Sequence, residues 1–306
     1  MTTADVIPEL TAEVTAAAHP ATTPCRCPTT TLADRPDTTV LRHAEAVAKA
    51  HAPGTDPAAL ALRLATAAHL PGVFLAPLTP VPATVLGTRP VTLWPYGRPV
   101  DPDARAAAPW EAAATLLARL HRSPPLPGTP PMRGPAKAAD ATARLRRALA
   151  AAPGHPAAAP VLRAWSGLPA WARAEAPMPG GRTLCHGDLH LGQLVRHPAP
   201  DGPWRLIDVD DLGVGVPAWD LARPASWYAC GLLPPDEWAR FLAAYRAAGG
   251  PAVPEDGDPW PALDVPARAL TVQTAARYLA KALAAARALD EVEQSLIDAC
   301  ARMAPE

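Results

Sequence analysis

The chain has almost no lysine. Of its 28 basic residues only Lys49, Lys137 and Lys281 are lysine, and arginine fills every other position. There is no excess of either charge: 28 Lys and Arg stand against 29 Asp and Glu, a net charge of −1. That balance excludes the basic footprint of a nucleic-acid binder. No apolar run approaches the ~18 residues of a membrane span, so no membrane partner is expected. Cysteine is sparse, with Cys25, Cys27, Cys185, Cys230 and Cys300 showing no C-x-x-C spacing. Neither a disulfide framework nor a zinc knuckle is indicated. Cys25-Arg26-Cys27 is too short for an ordinary disulfide and too isolated in sequence for a metal site. The opening MTTADVIPEL lacks the basic and apolar regions of a signal peptide, so the expected compartment is the cytoplasm.

What is abundant is alanine and proline, the latter at 41 positions, which predicts proline-punctuated helices and loops. A length of 306 residues with 49% apolar and 19% charged residues suits one or two soluble domains. Residues 1–30 hold a short helical pattern from Leu10 to Ala18, then a Pro/Thr/Cys-rich stretch of uncertain order. Residues 38–51 read as two strands around a turn, and Asp56-Pro57 opens a helix with an N-cap and a first-turn proline. VFLAPL (73–78) and PVTLW (90–94) read as two more strands. Beyond Trp94-Pro95-Tyr96-Gly97 the chain turns helical, over 109–121 and 137–152 and again from 218 onward. Two short strands, 182–196 and 204–209, interrupt it. Asp290 with Glu293 forms a capping-box pattern, and Val292, Leu296 and Cys300 fall on one stripe of that last helix. The expected architecture is α+β: an N-terminal segment (1–30), a small β-rich lobe (31–93), a hinge (94–97) and a larger helical lobe (98–306).

Two stretches carry chemistry. In RTLCHGDLHLGQLV (182–195), His186, Asp188 and His190 are spaced two apart, so an extended chain would point all three to one face. They could ligate zinc or iron, as in a metallohydrolase, or form a polar turn. The second stretch is WRLIDVDDLGVGVPAWDLA (204–222), where an apolar strand runs into Asp208, followed by Asp210 and Asp211. Carboxylates with an amide oxygen are hard ligands that favour magnesium. Phosphoryl transfer needs such ligands, a carboxylate near the attacking hydroxyl and a cation on the phosphates. Lys49, on the second strand of the small lobe, can supply that cation.

HGDLHLGQ followed by LIDVDD and Gly-x-x-x-Trp-Asp-Leu-Ala resembles the aminoglycoside phosphotransferase family of kinase-like enzymes. The resemblance runs from about residue 38 to the C-terminal helices. It implies a two-lobed protein-kinase-like fold and transfer of phosphate from ATP (or GTP), with Mg²⁺, to a hydroxyl of a small molecule such as an antibiotic or sugar. It implies Asp188 as catalytic base, Gln193 and Asp208 as metal ligands, and Lys49 as the ATP lysine. Trp94 to Tyr96 would be the hinge contacting adenine through its backbone. His186, His190, Asp210 and Asp220 would be supporting residues. Three departures stand out. Gln193 replaces the family's Asn, as in its maltokinase-like branch. No glycine-rich loop lies between 21 and 49, so a shorter hairpin must cover phosphate. The helix after Lys49 offers no Glu, and Arg63 sits where a partner is expected. These departures leave a nucleotide-binding pseudokinase as the alternative. Candidate acceptor residues are Glu255, Asp256, Asp258, Asp290, Glu291 and Glu293, with Trp227, Tyr228 and Trp260 for stacking. Oligomeric state is left open.

Overall fold

The computed structural model describes residues 3–19, 25–180 and 182–303. Along the chain the first elements are α1 (Thr3–Ala18), β1 (Thr29–Arg35), β2 (Thr38–His43), β3 (Ala46–Ala50), α2 (Pro57–His69), β4 (Thr84–Leu86), β5 (Arg89–Pro95) and β6 (Arg98–Pro99). Three helices follow: α3 (Trp110–Arg122), α4 (Gly134–Leu149) and α5 (Ala158–Ser166). Then come β7 (Thr183–Cys185), β8 (Leu194–Arg196), β9 (Trp204–Leu206) and β10 (Gly213–Gly215). The chain ends in α6 (Ala218–Ala229), α7 (Pro235–Ala247), α8 (Trp260–Ala284) and α9 (Glu291–Met303).

These elements form two compact units. The first comprises the chain up to Pro109 with Leu126–Pro130 and Leu191–Asp210; the second comprises Trp110–Pro125, Pro131–His190 and the chain from Asp211 onward. In the first unit, a five-stranded antiparallel sheet has the order β1-β2-β3-β5-β4. Helix α1 closes its core: Val6, Leu10 and Val14 pack with Leu41, Ala48, Ala50 and Val91. A second small sheet, β6-β8-β9, belongs to the same unit. In the second unit α4, α5, α6, α8 and α9 share one core built on Leu145, Trp165, Trp219, Leu270, Leu279 and Leu296.

Several expectations are corrected. Helix α1 starts at Thr3, not near Leu10; Pro8 lies inside it and masks the periodicity of its first turns. Strand β1 was not expected at all, because Thr-Thr-Thr-Leu-Ala-Asp-Arg is almost wholly exposed and shows no alternation. VFLAPL is not a strand: Phe74 makes one bridge to Leu206, and Pro77 within the stretch cannot donate to a ladder. The expected strand over 182–196 is two strands in different sheets, since Gly187 (φ +85°) breaks it after β7. Helix α4 begins earlier than expected, at Gly134, with Pro135 tolerated in its first turn. The capping box of α9 forms as read: Glu293 N donates to Asp290 Oδ1 (2.8 Å) and Asp290 N to Glu293 Oε2 (3.0 Å). Of its stripe, Leu296 and Cys300 are buried but Val292 is exposed, because it lies in the first turn beyond the core's edge.

Leu10 is fully buried against the sheet. Leu10→Ala is expected to lower the unfolding free energy by about 2–5 kcal/mol, whereas Glu9→Ala, on the exposed face, stays within about 0.5 kcal/mol. Denaturant unfolding of the two variants checks this.

Candidate active site

In the first unit the site grows from Lys49. It lies on β3, paired with Val40 on one side and Thr92 on the other, so the sheet fixes its direction. Its Nζ lies 2.8 Å from Asp208 Oδ1 and 2.9 Å from Asp210 Oδ2. Burial disfavours the ammonium, but the two carboxylates outweigh it and raise the Lys49 pKa above its ordinary value. The missing helix glutamate is thus replaced, in this structure, by a second carboxylate from the strand end. Asp210 is held in turn by His51, whose Nδ1 lies 2.8 Å from Oδ1. His51 Nε2 meets Thr92 Oγ1 (2.9 Å), which also accepts from Trp94 Nε1 (2.9 Å). Burial opposes the Asp210 charge, yet Lys49 and His51 carry its pKa well below the carboxylate range.

Asp208 follows β9 with φ +66°, a left-handed conformation that Asp tolerates better than most residues. The bend leaves its Oδ2 3.3 Å from the Gln193 side-chain nitrogen. A half-turn of that amide would present oxygen instead, since Gln offers a donor and an acceptor at nearly one place. Gln193 and Asp208 are also tied through the backbone, Ile207 N donating to Gln193 O (2.9 Å). Both backbone groups of Tyr96 are used internally: its N–H donates to Glu45 O (2.7 Å), and its carbonyl meets His197 Nδ1 (2.9 Å). Trp94 sits within β5 opposite Val47.

In the second unit the centre is Asp188. Lys137 Nζ lies 2.6 Å from its Oδ2 and Arg223 Nη2 2.8 Å from its Oδ1. Burial pushes the Asp188 carboxyl up, but Lys137 and Arg223, with a smaller contribution from His190, hold it down at about 2. Lys137 also reaches Asp211 (2.7 Å). The loop beneath is fixed by Asp220, which is buried: its Oδ2 accepts from His186 N (2.6 Å) and its Oδ1 from Gly187 N (2.7 Å). His121 Nε2 lies 3.0 Å from the same Oδ2, and its Nδ1 meets Tyr245 OH (2.7 Å), which accepts from Ala252 N (3.0 Å). Gly187 is required here, since a Cβ would meet Asp211 O at 2.4 Å. His186, Asp188 and His190 do not converge: among the described residues, neither group of converging metal-capable side chains contains any of them. Both Asp188 oxygens lie on cations instead, Oδ2 on Lys137 and Oδ1 on Arg223.

Sequence reasoning missed His51, Lys137, Arg223 and Asp211 as partners. Two of these were signalled: His51 is two residues from Lys49 on the same strand face, and Lys137 is one of three lysines. Arg223 carried no signal among so many arginines. Of the acceptor candidates, Glu293 is consumed by the α9 cap and by Arg287. Glu255, Asp256 and Asp258 are exposed. Tyr228 stacks on Trp238 (5.7 Å) and Trp260 (6.4 Å), while Trp227 meets Trp110 edge-on (6.5 Å).

The model of the phosphotransferase enzyme family matches residues 30–263. The chain belongs to that family. No curated protein sequence matches it significantly. Solved structures resemble it throughout. Macrolide 2′-phosphotransferase from Brachybacterium faecium is 21% identical, with a TM-score of 0.53 over 97% of this chain and 99% of that one. An aminoglycoside phosphotransferase solved with GDP and kanamycin is 14% identical, with a TM-score of 0.58 over 96% and 97%. A thermostable mutant of another, in ternary complex with AMP-PNP and hygromycin B, is also 14% identical, with a TM-score of 0.58 over 90% and 94%. At these identities the likeness shows the fold, which is α+β and protein-kinase-like. Among the described residues of this family member, no helix is long and apolar enough to cross a membrane.

The Asp188 carboxyl is expected to titrate at about 2, against ~3.9 for an ordinary aspartate. Lys137→Met removes one of its two cations and should raise that value toward the ordinary one. Carbon-detected NMR titration of the side-chain carboxyl reads both, and an unchanged value in the variant contradicts the assignment.

Proposed function

We propose that this chain is an ATP- or GTP-dependent, Mg²⁺-dependent phosphotransferase acting on a hydroxyl of a small molecule, with Asp188 as the catalytic carboxylate. The observation that carries the reading is the ion pair of Lys49 with Asp208, residues 159 apart in sequence. It joins the two charges that phosphoryl transfer requires, a cation for phosphate oxygens and a carboxylate for metal.

The donor set fits magnesium. Asp208, Asp210 and Gln193 offer carboxylate and amide oxygens without a thiolate, which is the hard set this ion prefers. Asp208 and Gln193 would hold it. When bound, Mg²⁺ neutralises phosphate charge and fixes the phosphates for transfer. Lys49 adds a point charge for the same oxygens, and Asp210 with His51 keeps the ammonium in place when nucleotide competes for Asp208. Asp188 accepts a hydrogen bond from the acceptor hydroxyl. Its depressed pKa makes it a weak base, so it contributes chiefly by aligning the hydroxyl oxygen for in-line attack. Lys137 and Arg223 offset charge on the transferred group. Asp220 holds the His186 and Gly187 amides, and so the turn that carries Asp188.

AMP-PNP and GDP in the similar structures support a nucleoside triphosphate donor. Their hygromycin B and kanamycin, with the macrolide enzyme, support an antibiotic or sugar-like acceptor and a resistance role. Trp227, Tyr228 and Trp260 offer half-buried rings for it. Labelled ATP and GTP with a panel of aminoglycosides, macrolides, sugars and amino alcohols test this. Transfer to one acceptor is expected, with Asp188→Ala and Asp208→Ala each slowing kcat roughly a hundred- to ten-thousand-fold. Absence of nucleotide binding in calorimetry with millimolar Mg²⁺ would sink the reading. Binding without transfer to any acceptor would assign the chain as a pseudokinase.

A further inference from the structure

Four soft or borderline donors come together at the N-terminal edge of the first unit. His19 follows α1, Cys25 and Cys27 precede β1, and His43 ends β2. One ligand atom from each lies within 4.8 Å of all the others. None belongs to the Lys49–Asp208–Asp210 cluster. Three of the four precede residue 30, where the family match begins, and His43 lies within it.

We propose that His19, Cys25, Cys27 and His43 form a structural zinc site. Two thiolates with two imidazoles are the donor set of tetrahedral structural zinc. Zn–S bonds near 2.3 Å and Zn–N bonds near 2.0–2.1 Å put adjacent ligand atoms roughly 3.3–3.8 Å apart, so the outermost donors need close by only about 1 Å. The Cys25 Sγ is already 3.0 Å from His43 Nε2. Thr29, the strand partner of His43, places its hydroxyl 2.9 Å from His43 Nδ1. If Nδ1–H donates to that hydroxyl, the Nε2 lone pair is left facing the sulfur, as a metal-bound histidine needs.

A thiol–imidazole hydrogen bond accounts for Cys25 and His43 but not for the other two. The His19 ring stands edge-on to His43 at 5.3 Å, and its buried Nε2 has no hydrogen-bond partner among the described residues. A buried ring nitrogen without a partner is costly, and a metal ion bonded to it removes the cost. The ion would tie the end of α1 to the start of β1 and the end of β2. Binding requires both thiols to lose their protons, so affinity should fall as pH is lowered.

The full chain, purified with zinc and passed over a chelating resin, is expected to retain about one zinc per chain by mass spectrometry of metals. X-ray absorption at the zinc edge should show two sulfur and two nitrogen neighbours. Cys25→Ser/Cys27→Ser should lose the ion. Thr29→Ala, which leaves all four ligands in place, should weaken zinc binding roughly ten- to a hundred-fold. A chelator should lower the Tm of the wild-type chain, and added zinc should restore it. A chain that holds no zinc after reconstitution overturns the proposal. So does zinc retained in full by the double cysteine variant, or a Cys25–Cys27 disulfide in the natively purified protein.

Discussion

A buried ammonium between two carboxylates is the constraint on which the first unit's chemistry depends. The sheet that carries Lys49 leaves its side chain only 12% exposed, and the Asp208 and Asp210 charges make that burial tolerable. Losing Lys49 would leave the two carboxylates facing each other without a cation between them, and losing both carboxylates would leave the ammonium unpaired. This explains why the strand end after Leu206 bends as it does: Asp208 accepts a left-handed backbone because its position opposite Lys49 is worth the strain. It also explains the neighbours. His51, Thr92 and Trp94 form a hydrogen-bonded chain whose end is Asp210, so the sheet's interior buttresses the ion pair from behind.

The second unit solves a related problem in reverse. Here a carboxylate, Asp188, is the partly buried charge, and two cations hold it. Its backbone is fixed separately, through Asp220, His121 and Tyr245. Orientation of the turn and electrostatics of the side chain are therefore assigned to different residues.

Much of this was legible in the sequence where motif and spacing act locally. HGDLHLGQ marked Asp188 and Gln193, LIDVDD marked Asp208, and the Gly-x-x-x-Trp-Asp-Leu-Ala stretch marked Asp220, while the α9 capping box could be read directly from Asp290 and Glu293. What escaped were partners contributed from a distance. Lys137 approaches Asp188 from a helix 51 residues away, and no periodicity announces such a contact. Strand β1 escaped because it is exposed on both faces and its threonines carry no hydrophobic alternation. The N-terminal cysteines were dismissed on linear spacing alone; His19 and His43 join them only once α1 and β2 are folded. VFLAPL was over-read for the opposite reason: its Leu75 and Leu78 amides donate to two different strands, at Leu206 and Leu93, and Pro77 between them cannot donate, so the apolar run extends no single ladder.

The stretch that carries both motifs changes unit twice, after His190 and again after Asp210. Strands β8 and β9, with Asp208, thus belong to the unit built by the chain's beginning, although they are encoded in its second half. Neither unit corresponds to an uninterrupted piece of gene. A truncation at Pro109 would deprive Lys49 of its counter-charges, and the remainder would carry two orphaned strands. Recombination could not exchange one unit for another without cutting through the HGDLHLGQ and LIDVDD stretches.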